Sequence, residues 1–180
     1  ADRCFFFDEN GKFVDGYHEA AILSQIVLDK YPKSKVVHDP RLVWATRNSI
    51  IESGGTPLIN KVGHSFIKER MRKEDAVFAG ENSGHFYFKD YYYCDNGMIP
   101  FLLMLRKISE TGKKMSELVE PLRKKYPNSG EINFTVEDAS GKINKIEHVY
   151  QGGRIEKIDG LSVEFSDWRF NLRSSNTEPL

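Results

Sequence analysis

The chain has 180 residues, enough for one large domain or two small ones with a real core. Its 26 basic and 26 acidic residues cancel, which removes the electrostatic case for a nucleic-acid or acidic-membrane partner. The longest apolar run, "MIPFLLML" at 98–105, falls far short of the roughly 20 residues that span a bilayer. Cys4 and Cys94 lie far apart without metal spacing and read as free thiols of a reducing cytosol. No signal peptide is visible, and a start on Ala1 reads as processing or as a piece of something longer.

"RCFFFDENGKFVDG" predicts two short strands around a turn at Asp8–Gly11. "YHEAAILSQIVLDKYP" predicts a helix with a stripe of Ala21, Ile22, Ile26 and Leu28, closed by Pro32. "SKVVHDP" reads as a buried strand, and "RLVWATRNSIIESGG" as a helix with a glycine cap. "TPLINKV" is a strand; "HSFIKERMRKED" is a helix with Ser65 as its cap and a Glu69–Lys73 pair on its solvated face. "AVFAGENSGHFYF" reads as strand, tight turn, strand. Asp95 is expected to cap the apolar helix "GMIPFLLMLRKISE". "SELVEPLRKKYP" is a further helix, with a kink or break expected at Pro121.

At "NSGEIN" the texture changes. "EINFTVED" alternates as a strand does, "SGKINKIEHVYQGG" is a short helix, "RIEKIDGLSVEFS" is a hairpin about Asp159–Gly160, and "WRFNLR" is a last strand. The fold class expected is α/β: a mixed-sheet α/β domain over residues 1–126, then a small, truncated α+β domain over residues 130–180.

Four stretches hold chemistry-bearing residues. "GENSGH" sets Glu81, Ser83 and His85 in a polar turn between apolar strands, where α/β sheets bind ligands. Glu81 is able to accept from two sugar hydroxyls, and Ser83 to donate or accept. The alternative is a hairpin turn with incidental polar groups. A nucleophilic Ser83 is disfavoured, because the hydrolase elbow needs Gly-x-Ser-x-Gly. His64 sits at a strand-to-helix junction, as a ligand contact or a structural histidine. His38 and His148 read as structural and His18 as solvent-facing, and no metal-ligand spacing links the five histidines. Arg41 is a surface arginine or an anion contact. The closing "RSSNTEPL" offers the fork of Arg173 with Ser175, Asn176 and Thr177, a polar tail or an anion cradle.

Together, "GGTPLINKVGHSFIKERMRKEDAVFAGENSGHFYFKDYYYCDNGMIP" and "DWRFNLRSSNTEPL" closely resemble the phosphomannomutase/phosphoglucomutase family of α-D-phosphohexomutases, closest to its bacterial phosphomannomutase branch. The resemblance covers essentially the whole chain and implies a fragment: the tail of the metal loop of a second domain, then the third domain and most of the fourth. It implies that Asp2 is the last carboxylate of a Mg²⁺ loop and Arg3 the arginine after it. Glu81 and Ser83 would hold the hexose 3- and 4-hydroxyls, with His64 and His85 lining the cleft and Arg41 where many members have lysine. Arg173, Ser175, Asn176 and Thr177 would hold the phosphate that is not being transferred. It further implies a hexose 1,6-bisphosphate intermediate, a cytoplasmic parent enzyme, and the missing domains of that parent as partners. Two aspartates of the metal loop and the phosphoserine segment are absent, so the 180 residues alone are expected to bind phosphosugar weakly without turnover. A non-catalytic phosphosugar-binding module and glucose specificity are the alternatives.

Overall fold

The computed structural model describes residues 2–174. The expected phosphate-loop residues Ser175, Asn176 and Thr177 lie outside the described residues. The chain divides into two compact units, Ala1–Pro127 and Asn128–Leu180.

The first unit opens with the expected hairpin of β1 (Phe6–Phe7) and β2 (Phe13–Val14). Its turn is held by Asp8, which accepts from the Asn10 and Lys12 N–H groups at 2.9 and 3.0 Å. Then come α1 (Gly16–Lys30), β3 (Lys35–His38), α2 (Trp44–Glu52), β4 (Thr56–Ile59), α3 (His64–Glu74), β5 (Phe78–Gly80), β6 (Phe86–Phe88), β7 (Cys94–Asp95), α4 (Met98–Thr111) and α5 (Met115–Lys125). The sheet runs β4-β3-β5-β6-β7. β3 is parallel to β4 and β5, whereas β6 and β7 return antiparallel.

Strand alternation divides the core between the two faces. Val36, Phe78, Phe86 and Phe88 pack with residues of α1, α4 and α5, while Val37, Ala79 and Tyr87 pack with Ile67 and Met71 of α3. The result is an α/β/α sandwich, as the mixed-sheet expectation requires. Gly80 permits the layers to close, since a Cβ there would lie 2.8 Å from the Ala20 Cβ of α1.

The structure corrects several local readings. α1 is buried nearly all round, from Gly16 to Leu28, rather than along one stripe, because helices cover it as well as the sheet. His18 is therefore buried, not solvent-facing, with Nε2 3.4 Å from the Tyr126 carbonyl. Ser65 does not cap α3, whose N-cap is Gly63, and the i,i+4 pair on that helix is Arg70–Glu74 at 3.5 Å. Asn96, not Asp95, accepts from the first N–H groups of α4, Met98 and Ile99, at 2.8 and 2.9 Å. α5 continues through Pro121.

The second unit contains α6 (Ala139–Val149) and an antiparallel sheet ordered β10-β9-β8, from β8 (Arg154–Glu156), β9 (Leu161–Glu164) and β10 (Arg169–Leu172). The Asp159–Gly160 turn forms where expected, with Gly160 at φ +75°. Leu161, Ser162 and Val163 of β9 are buried, and Tyr150 meets Phe165, Trp168 and Phe170 edge-on. Residues 131–138 form no strand among the described residues. The alternation is real, but Ile132 and Phe134 are 63% and 66% exposed, and a strand without a ladder partner has no source of backbone pairing.

Candidate functional site

Sheet topology brings five segments to one edge. β3, β4 and β5 are parallel, so the residues after them, Asp39, His64 and Glu81, emerge on the same side. β6 runs back, so His85 starts it there, and β7 ends there at Asp95, paired with Tyr87. Ligands of α/β sheets bind outside such carboxyl ends.

The turn from Glu81 to Gly84 is tight. Glu81 N–H donates to the His85 carbonyl at 3.0 Å and Gly84 N–H to the Glu81 carbonyl at 3.1 Å. Gly84 adopts φ +79°, in the left-handed region natural to glycine. The chain's first described residues are stitched to this turn. Arg3 makes an antiparallel bridge with His85, and Cys4 N–H donates to the Gly84 carbonyl at 3.0 Å.

The Arg3 guanidinium decides the polarity of the turn. Its Nε–H, which only donates, lies 3.1 Å from His85 Nε2, so that nitrogen is the acceptor. The His85 proton therefore sits on Nδ1 and is given to Ser83 Oγ at 3.0 Å. Ser83 is the acceptor in that bond, which does not use its own O–H. Burial first, then the charges of His64 and Arg3, hold the His85 pKa below its ordinary value, which favours the neutral ring.

Glu81 is 4% exposed and accepts from the Tyr87 hydroxyl at 2.5 Å. Its carboxyl is raised by burial, against the Tyr87 hydrogen bond, with Asp39 also raising it. His64 lies edge-on to His85 at 4.5 Å between ring centroids. Asp95, freed from capping, faces His64 Nδ1 at 3.3 Å and Lys68 Nζ at 3.1 Å. Burial alone would raise Asp95, but hydrogen bonds from Lys68 and its own N–H, with the charge of His64, hold it below the usual carboxylate range.

Arg41 is not a free anion contact. It precedes α2, and its guanidinium is committed to Asp39 through Nε, at 3.0 Å to each carboxylate oxygen, and through Nη2. Asp39 also accepts from Arg41 N–H at 2.8 Å and from Asn82 N–H at 3.1 Å, joining Arg41 to the turn. Arg173, in the second unit, is half-buried after β10.

Donor atoms of His64, His85 and Asp95 lie within 4.8 Å of one another, a cluster that linear spacing does not reveal because three elements supply it. Lys68 and Arg3 bring two positive charges to the same donors, and that balance opposes a cation. Nor does Asp2 make a magnesium site among the described residues. It is one carboxylate, 69% exposed, 3.9 Å from His85 Nε2, where Mg²⁺ demands near-octahedral oxygen ligation.

Sequence reasoning missed Asp39, Tyr87 and the site role of Asp95. It also missed Gly16, where a Cβ would lie 2.5 Å from the Asn82 carbonyl oxygen. Close approach, not a positive φ, is what this glycine permits. Gly16→Ala is expected to displace the turn and destabilise the fold by about 1–3 kcal/mol. Chemical denaturation and the amide spectrum of residues 80–85 check it, and an unchanged turn would contradict the packing.

A mixed-sheet α/β/α layer thus gathers an acid, a hydroxyl and two imidazoles at its strand ends, where sheets of this kind bind ligands. The family model "Phosphoglucomutase/phosphomannomutase, alpha/beta/alpha domain III" matches residues 15–126, and the chain belongs to this family. It is similar to phosphohexose mutases of Xanthomonas campestris, 50% identical over 181 residues, and to the phosphomannomutase of Escherichia coli, 48% identical over 181 residues. Each match covers 99% of this chain and 40% of the relative, so the chain spans about two-fifths of the curated relatives' length. Among solved structures, a phosphoglucomutase/phosphomannomutase family protein from Burkholderia thailandensis aligns with a TM-score of 0.76 at 28% identity, covering 99% of this chain and 38% of that one. No helix among the described residues is long and apolar enough to cross a membrane.

Proposed function

We propose that this chain is the sugar- and phosphate-recognition part of a cytoplasmic phosphomannomutase, interconverting mannose 6-phosphate and mannose 1-phosphate by phosphoserine-mediated transfer. The observation that carries the reading is the convergence of Glu81, Ser83, His85 and His64 at the carboxyl ends of the parallel strands. Glu81 accepts from the ring 3- and 4-hydroxyls, and Ser83 donates the O–H that His85 leaves free. These hydroxyls are common to both phosphate positions, so one turn serves both orientations of the substrate. Arg173, with Ser175, Asn176 and Thr177, holds the remote phosphate, a contact suited to the bidentate guanidinium. Arg3, His64 and His85 stand beside the reacting end. Phosphoryl transfer asks mainly for such positioning and charge neutralisation. Mg²⁺ belongs to the parent enzyme with Asp2 as one ligand, and a hexose 1,6-bisphosphate is its intermediate. The free thiols Cys4 and Cys94 suit a reducing cytosol.

The 180 residues alone are expected to bind mannose 6-phosphate weakly and to show no turnover. NMR titration should move amides of residues 80–85, and Glu81→Ala should weaken binding by about 10- to 100-fold, the loss of hydrogen bonds to a charged group. Static amides in this turn, or shifts equally produced by inorganic phosphate, would remove the sugar-recognition role. Turnover above a blank would refute the division of labour.

A further inference from the structure

We propose that Tyr87 is a positioning residue for Glu81: its buried hydroxyl holds that carboxylate in one orientation as an acceptor for ring hydroxyls. The inference rests on the reading of Glu81 as the ring-recognition group and adds a residue beneath it.

Tyr87 is 0% exposed, so its hydroxyl is out of reach of any ligand. Its ring belongs to the apolar cluster of Val37, Ile67, Met71 and Ala79, with His64 edge-on at 5.7 Å and Lys68 Nζ 5.9 Å from the ring centre. The ring is thereby locked. A locked phenol of raised pKa keeps its proton, and the 2.5 Å separation from Glu81 Oε1 falls in the charge-assisted range. Tyr87 is the side-chain donor to Glu81 among the described residues, and it engages one carboxylate oxygen, Oε1. The other charged or titratable groups acting on Glu81 are Asp39, Arg41 and His64. Asp39 and Arg41 neutralise each other in a bidentate pair. The Tyr87 hydroxyl is thus the neutral group that favours the charged, accepting form of Glu81 against the burial that raises its pKa. A protonated Glu81 donates through one oxygen and no longer accepts from two ring hydroxyls.

The test is Tyr87→Phe, which retains the ring and removes the hydroxyl. Carbon-13 NMR of the Glu81 carboxyl, assigned with Glu81→Gln, should show its titration midpoint rising by about one pH unit in the variant. Placing 3-fluorotyrosine at position 87, a more acidic phenol and stronger donor, should move the midpoint down, and this arm needs no loss of the hydroxyl. Affinity for mannose 6-phosphate should fall about tenfold in Tyr87→Phe, with inorganic phosphate unaffected. A midpoint indifferent to both changes overturns the proposal whatever the ligand does. A midpoint that moves as expected, in a wild-type chain that shows no saturable hexose-phosphate binding, upholds the role of Tyr87 and overturns the ring-recognition reading instead.

Discussion

Asp39→Ala is expected to destabilise the first unit by about 3–5 kcal/mol and to loosen the Glu81–Gly84 turn. Asp39 is 2% exposed, at the end of β3, and its partner Arg41 has a side chain only 17% exposed. A buried ion pair is weak evidence of net stabilisation, but removing one member leaves the other charge and the bonded donors less well satisfied, and that is what costs. Here the guanidinium would lose both oxygens at once, and two backbone donors, Arg41 N–H and Asn82 N–H, would lose their acceptor. The Asn82 bond extends the effect to the site, because it ties the turn to the strand beside it. Asp39→Asn retains the volume and one acceptor oxygen, so its cost should be smaller. Urea unfolding measures the stability, and amide shifts at residues 80–85 report the turn. A near-neutral alanine variant with an unmoved turn would show that Asp39 holds neither.

Glu19→Gln should stabilise the protein in mild alkali, by about 2–4 kcal/mol at pH 8. Glu19 lies within α1, 0% exposed, accepting from Phe6 N–H at 2.9 Å through one oxygen, while the other has no partner among the described residues. Burial, with a smaller contribution from Asp15, pushes its carboxyl up to about 8 against the Phe6 hydrogen bond. The unfolded chain releases this proton near 4.5, so between pH 4.5 and about 8 the folded state holds a proton that the unfolded state has lost. Stability therefore falls as pH rises through that window, by roughly 1.4 kcal/mol per pH unit at most, and levels off above it. His18 acts in the opposite sense. Its pKa is lowered by burial, so its contribution rises with pH only until about 6.5, the ordinary histidine value. The difference between wild-type and variant denaturation curves collected from pH 6.5 to 9 thus reads Glu19, since the other groups are common to both proteins. Glutamine is isosteric with the protonated acid and should flatten the slope; parallel curves for the two proteins would contradict a protonated native Glu19.

Much of the fold was legible because local chemistry repeats it. Apolar "FAG" and "FYF" flank a turn rich in polar residues, and the structure places β5, the turn and β6 there. Asp159–Gly160 makes its hairpin because the pair suits a left-handed turn that the flanking strands demand. "EINFTVED" misled because alternation encodes a face, whereas a strand also needs an edge to pair with. α1 misled for the converse reason: its polar residues His18, Glu19 and Ser24 are buried because several layers close over it, and a periodicity reading sees one face at a time.

The sequence by itself determined the family, the alternation of elements and the residue types of the recognition turn, since each is written in short contiguous motifs whose chemistry is local. Only the tertiary structure decided their partners. Arg3 reaches His85 across 82 positions, Asp39 reaches Asn82 across 43, and Asp95 exchanges a helix cap for His64 and Lys68. The physical reason is that a parallel sheet delivers the ends of distant strands to one edge. Hydrogen-bond polarity and the charge state of a buried carboxyl are properties of that shared edge, not of any stretch of chain that enters it.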